Sequence, residues 1–134
     1  MFRAIYFNHT YSVMVRNISP NTALSMKFDT GSVATVISVD ALKVNVRKDR
    51  FISLLNERDV PVRIFHSASG NELMGYPVVA ENVLISGQAI ESFYYYLIVN
   101  VDYSISLLGD DFISSCEYAH IIADGCTYKS LVFT

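Results

Sequence analysis

Charge is scarce in this chain: of its 134 residues only 17% are Asp, Glu, Lys or Arg, while 51% are apolar. That balance excludes a disordered tail and suits a domain able to bury a core of its own. The net charge is −3 and the basic residues are scattered, Arg47, Lys48 and Arg50 apart, which argues against nucleic acid as the main ligand. No run approaches the roughly 18 consecutive apolar residues of a spanning helix; the longest, Phe93 to Val99, is short and rich in β-formers, so no membrane partner is expected. Asn8, His9 and Ser12 interrupt the stretch from Met1 to Val15 where an export signal wants unbroken apolar residues, and the cytoplasm is the default expectation. Cysteine is scarce too. Cys116 and Cys126 form no CxxC and have no second pair, and His9, His66 and His120 stand alone, so a four-ligand metal site has no supply. Buried thiols are favoured over a disulfide, with structural zinc the least favoured reading. Mean hydropathy is positive, which for so small a chain implies apolar surface covered by a partner.

What is present reads mostly as short strands. Tyr11, Val13 and Val15 alternate with Ser12, Met14 and Arg16, and Leu24, Met26 and Phe28 alternate with Ser25 and Lys27. With a turn at Asn17 to Asn21, these predict an N-terminal hairpin running into Asp29. Val33 to Ile37 predicts a strand buried on both faces, and Ser38 is placed to cap a short helical turn through Asp40 and Leu42. Arg47 to Arg58 carries Phe51, Ile52, Leu54 and Leu55 at helical spacing and predicts the longest helix. Val60 to Phe65 predicts a strand with Val60, Val62 and Ile64 on one face. The polar stretch His66 to Glu72 follows, with Ser69-Gly70-Asn71 suited to a hairpin tip before Leu73 to Ala80. Val83 to Ile85 leads into a turn at Ser86-Gly87-Gln88, and Ile90 to Val101 predicts a strand broken at Asp102-Tyr103-Ser104. A short helix over Asp110 to Glu117 and a closing hairpin around Asp124-Gly125 complete the chain. With no repeat and no linker, 1–134 reads as one domain.

The chemistry concentrates at Asp29-Thr30-Gly31-Ser32. A carboxylate on a tight turn after a strand is fixed by backbone, and a nearby glycine lets amides approach it with no Cβ in the way. The Thr30 hydroxyl is suited to locking such a turn. Asp-Thr-Gly alone is equally an ordinary turn, so its surroundings decide. Met26-Lys27-Phe28 precede it, Val33-Ala34-Thr35-Val36-Ile37-Ser38 follow, and far downstream Leu107-Leu108-Gly109-Asp110 stands between a strand pattern and a short helix. Between the two lies the glycine-bearing hairpin.

This combination resembles the retropepsin family, the single-domain aspartic proteases of retroviruses and their cellular and bacterial relatives, over roughly Tyr11 to Glu117. The resemblance implies an all-β fold: a closed β-barrel with a flap hairpin, one or two short helices and one half-site per chain. It implies that Asp29 is the catalytic carboxylate and that Thr30 joins reciprocal threonine contacts across a dimer axis. Gly31 would shape the loop and present backbone to substrate, with Leu107, Leu108 and Gly109 packed behind it. Ser69, Gly70 and Asn71 would cover bound peptide as the flap. No metal and no cofactor are implied.

Peptide hydrolysis by this chemistry needs two carboxylates sharing a proton and a water. One motif per chain therefore leads to an aspartic endopeptidase assembled as a homodimer, acting on a peptide or protein substrate. The alternative is a catalytically weak dimerisation or peptide-binding module on the same fold; the intact Asp29 and Gly31 favour the enzyme. Ser32 stands where retroviral members usually carry Ala and pepsin-like members Ser or Thr. A hydroxyl donating to Asp29 would favour the ionised carboxylate and move the activity optimum toward acid. Asp110 and Asp111 read as helix N-terminal charges, Tyr94-Tyr95-Tyr96 as core and interface, and His66 as an exposed strand-end residue.

Overall fold

The computed structural model describes residues 3–7, 12–18, 22–29, 31–42, 57–67, 69–85, 87–114, 116–124 and 126–133, of which 3–7, 12, 28, 113–114, 116–124 and 126–133 are described by backbone alone. Strands β1 (Arg3–Phe7), β2 (Ser12–Arg16), β3 (Ala23–Phe28) and β4 (Val36–Ser38) precede β5 (Arg63–His66), β6 (Glu72–Ile85), β7 (Gln88–Ile98) and β8 (Ser106–Leu108). A single turn of helix, α1 (Asp110–Ser114), then leads to β9 (Cys116–Asp124) and β10 (Cys126–Phe133).

Seven strands lie in the order β2-β3-β8-β4-β7-β6-β5, and a further pairing of β2 with β6, Val15 opposite Ile85 and Arg16 opposite Leu84, closes six of them into a barrel. Closure works because strand alternation aims one set of side chains at a common interior. Val13, Val15, Leu24, Met26, Ile37, Tyr76, Val83, Ile85, Phe93, Leu97 and Leu108 meet there, buried in one cluster. Each of the larger ones contributes roughly 1.5–3 kcal/mol by leaving water. The alternation in β2 and β3 therefore predicts the hairpin correctly, and the two strands pair antiparallel from Ser12↔Lys27 to Arg16↔Ala23.

Several elements differ from expectation. The strand expected at Val33 begins only at Val36, because the preceding residues belong to the turn after Asp29; Val33 itself is 65% exposed. The strand expected over Val60 to Phe65 is β5, and its packing residue is Phe65, which meets Tyr96 edge to face, while Val62 and Ile64 are exposed. Leu73 to Ala80 and Val83 to Ile85 form one continuous strand, β6, whose register against β7 runs unbroken past Asn82 at φ 57. The tyrosine run splits by alternation into a buried Tyr95, an outward Tyr94 and a half-buried Tyr96. The cap at Ser38 holds: its Oγ accepts from the Ala41 amide at 3.2 Å. Most of the helix expected over Arg47 to Arg58 lies outside the described residues.

β1 is a strand that the N-terminal sequence did not announce. It pairs antiparallel with β10, which pairs with β9, in a separate three-stranded sheet. The register of that sheet bears on the disulfide between the two cysteines: Cys116 pairs with Phe133 and Cys126 with Asp124. Eight strand residues of roughly 3.3 Å each set the two cysteines apart, far beyond the ~7 Å Cα separation that a disulfide spans.

Burial pushes the Tyr95 phenol up from 10.0 to about 12. Below the lower value folded and unfolded chains both carry the phenol proton; between the two the unfolded chain ionises first, so stability is lost as pH rises through that window, by on the order of 2 kcal/mol. Tyr95→Phe is expected to flatten this alkaline loss, read as a smaller drop of the urea midpoint between pH ~9 and ~12 than in the wild type.

Candidate active site

β3 delivers Asp29 to the end of the barrel, where its amide donates to the Leu108 carbonyl at 2.9 Å. The turn then folds back on the carboxylate: the Gly31 amide donates to Asp29 Oδ1 at 2.9 Å and the Ser32 amide to the Asp29 carbonyl at 3.2 Å. A Cβ at Gly31 would stand 3.2 Å from that same Oδ1, so the missing side chain lets the amide come this close. Asp29 is half-buried, held on one side by backbone and open on the other. Thr30 lies outside the described residues.

Ser32 departs from expectation. Its hydroxyl donates to the Ala34 carbonyl at 2.7 Å rather than to the Asp29 carboxylate. A hydroxyl has one proton to give, and here it closes the loop. The acid shift argued from a Ser32–Asp29 hydrogen bond accordingly loses its basis.

Behind the turn, β8 and α1 form a clasp. Gly109 is buried against the Ala34 carbonyl, where a Cβ would fall 2.3 Å from both its carbon and its oxygen. The Gly109 amide donates to Thr35 Oγ1 at 3.0 Å, and the Thr35 hydroxyl and amide donate to Asp111 Oδ1 at 2.8 and 2.9 Å. The same oxygen accepts from the Phe112 amide at 2.7 Å, and the Asp110 amide donates to the Ser32 carbonyl at 2.7 Å. Asp111 is thus more than a helix N-terminal charge: one carboxylate oxygen ties the loop after Asp29 to the start of α1. Reading along the sequence misses this pairing, whose one signal is Thr35, a lone hydroxyl amid the apolar residues from Val33 to Ile37.

The hairpin of β5 and β6 turns through Ser67 to Asn71. The Ser67 amide donates to the Asn71 carbonyl at 2.9 Å, the Gly70 amide to the Ser67 carbonyl at 2.9 Å, and Gly70 sits at φ +88, a backbone conformation open to glycine. Ser69, Gly70 and Asn71 are all exposed at this tip. Lower down, Asn100 pins the hairpin arm, accepting from the Met74 amide at 2.8 Å and donating to the Glu72 carbonyl at 3.0 Å. His66 and Glu72 face each other across the ladder at 3.9 Å, both exposed.

A second apolar cluster joins hairpin to turn. Leu73, Ile98, Val101 and Val36 are buried in it, with Phe65, Tyr96, Ile105 and Leu107 packed against them. Val36 follows Thr35, and Leu107 precedes the carbonyl that holds Asp29. The hairpin and the Asp29 turn are two ends of one packed unit.

No family model matches the sequence, and no match is found among curated proteins. The structure is similar to the crystal structure of a retropepsin-like aspartic protease from Rickettsia conorii, with a TM-score of 0.62 over 99% of this chain and 93% of that one, at 16% sequence identity. At that identity the likeness is one of fold: the chain has the retropepsin-like fold, an all-β closed barrel with little helix among the described residues.

Proposed function

We propose that the chain is a single retropepsin-like domain, residues 1–134, working as an aspartic endopeptidase whose dyad is assembled from Asp29 of two protomers. The observation that carries this reading is the Asp29 turn itself: on a retropepsin-like fold, an accessible carboxylate is gripped at Oδ1 by the amide two residues on. One such turn per chain makes a homodimer the working unit.

In the pair, two carboxylates a few Å apart hold one proton between them, because ionising both is costly. The ionised carboxylate takes a proton from the water between them while the other donates to the scissile carbonyl oxygen, and the roles reverse to release the amine. Gly31 keeps the Asp29 carboxylate from rotating, and Ser32, Leu108 and Gly109 hold the turn in place. Thr30 is assigned to the dimer axis. The hairpin tip, Ser69, Gly70 and Asn71, covers an extended peptide, and β5, the end strand of the larger sheet among the described residues, offers its outer edge for backbone pairing.

The test incubates the purified chain with a peptide library over about pH 3–8, beside Asp29→Asn, with the oligomeric state followed by sedimentation. Cleavage by a dimer that vanishes in the variant supports the reading. Binding of peptide without any cleavage identifies a peptide-binding module instead, and equal cleavage by both chains removes Asp29 from the chemistry.

A further inference from the structure

Arg63 is unused by the chemistry above, yet its side chain is held with care. It lies opposite Gly75 in the β5–β6 ladder, and its guanidinium carbon stands 4.8 Å from the Phe65 ring centre and 5.5 Å from that of Tyr96. Those rings meet edge to face at 5.1 Å. Gly75 makes room for them: a Cβ there would come within 2.9 Å of Phe65 and 3.1 Å of Tyr96. The guanidinium lies within cation–π distance of both rings, which restricts its freedom, and it has the fork of N–H donors that matches a carboxylate. Arg63 is exposed, and among the described residues no carboxylate forms an ion pair with it.

Its place points to a use. Phe65 and Tyr96, the rings beneath it, belong to the apolar cluster that also contains Val36 and Leu107, each next to a group that holds the Asp29 turn. The cation therefore stands at the hairpin end of the same packed floor. An extended peptide paired along the β5–β6 hairpin would present alternate side chains on the face where the guanidinium lies.

We propose that Arg63 is a specificity-determining residue that selects peptides carrying an acidic side chain on the hairpin side of the cleft. The proposal rests on the peptidase reading for its site and adds the substrate class. The gain from one exposed, charge-assisted pair is about five- to tenfold in kcat/KM, and it shrinks as salt is raised.

Peptide pairs that differ only by Glu or Gln, placed in turn at each position flanking the scissile bond, provide the measurement. The wild type is expected to favour Glu at one position by about five- to tenfold. Arg63→Gln is expected to bring that ratio to about one, Arg63→Lys to keep part of it, and Arg63→Glu to reverse it in favour of a Lys peptide. Equal rates for the Glu and Gln members in the wild type, or a Glu preference that survives Arg63→Gln, overturn the proposal. Binding of the same pairs is followed by fluorescence anisotropy on the Asp29→Asn chain. A Glu preference in binding that depends on Arg63, while the wild-type chain cuts none of the peptides, overturns the peptidase reading and upholds this one; no preference in either assay overturns this one.

Discussion

Asp29→Asn is expected to lower kcat by about 10³-fold or more, the span attached to losing a positioned acid–base group. The amide side chain keeps the shape and an acceptor for the Gly31 amide, which donates to Asp29 Oδ1 at 2.9 Å, so the variant is expected to fold with wild-type stability. What disappears is the capacity to hold and pass a proton. The proposed dimer adds a sharper expectation. When equal amounts of wild-type and variant chain are mixed and allowed to exchange, only dimers with two intact carboxylates turn over, and roughly a quarter of the activity of an all-wild-type sample at the same total concentration remains. A chain that works alone retains roughly half. Activity plotted against the wild-type fraction separates the two: a parabola means a shared site, and a straight line means that each chain has a complete one.

Gly109→Ala is expected to destabilise the fold by on the order of 3 kcal/mol or more, or to prevent it from forming. The added Cβ would meet the Ala34 carbonyl carbon and oxygen at 2.3 Å and the Thr35 nitrogen at 2.8 Å. These are backbone atoms, with no flexible end to swing aside. Relief would require β8 to withdraw from the loop after Asp29, and that breaks the Gly109 amide bond to Thr35 and slackens the three donors gathered on Asp111. Urea denaturation followed by circular dichroism gives the magnitude. A midpoint within error of wild type would mean that the loop yields where its hydrogen bonds say it is held. Gly70→Ala is a useful contrast, since nothing stands near a Cβ there and only the positive φ resists it.

The sequence made local structure legible and left distant pairings hidden. Alternation from Val13 to Val15 and from Leu24 to Met26 was enough to place the first hairpin, because the half-buried face of a strand writes itself as period two. The turn at Asp29, the Leu-Leu-Gly segment and the hairpin tip at Ser69 to Asn71 were readable for a similar reason, since each is a short backbone geometry with its own residue requirements. β1 was not readable. Its partner β10 lies at the other end of the chain, and nothing in Arg3 to Phe7 names it. Asp111 and Thr35 are 76 positions apart, and a helix-start Asp looks the same whether it caps its own helix or clasps another loop. Ser32 failed for the opposite reason. A serine at that position of the motif suggests a hydrogen bond to Asp29, but its one proton goes to the Ala34 carbonyl at 2.7 Å.

β6 has a consequence for how such a chain can change. Its first residues form an arm of the hairpin, and its last two close the barrel against β2. Side chains alternate from Leu73 to Ala80, so Leu73 joins the hairpin cluster while Tyr76 and Ala80 fill the barrel, and inserting or deleting one residue between Leu73 and Tyr76 would put both on one face and spoil either the hairpin or the barrel. Length variation is therefore tolerable only beyond His66 and Glu72, at the tip, and in pairs of residues, one for each arm. The reach of the hairpin can grow or shrink in such steps, while the distance from its base to the barrel seam stays fixed.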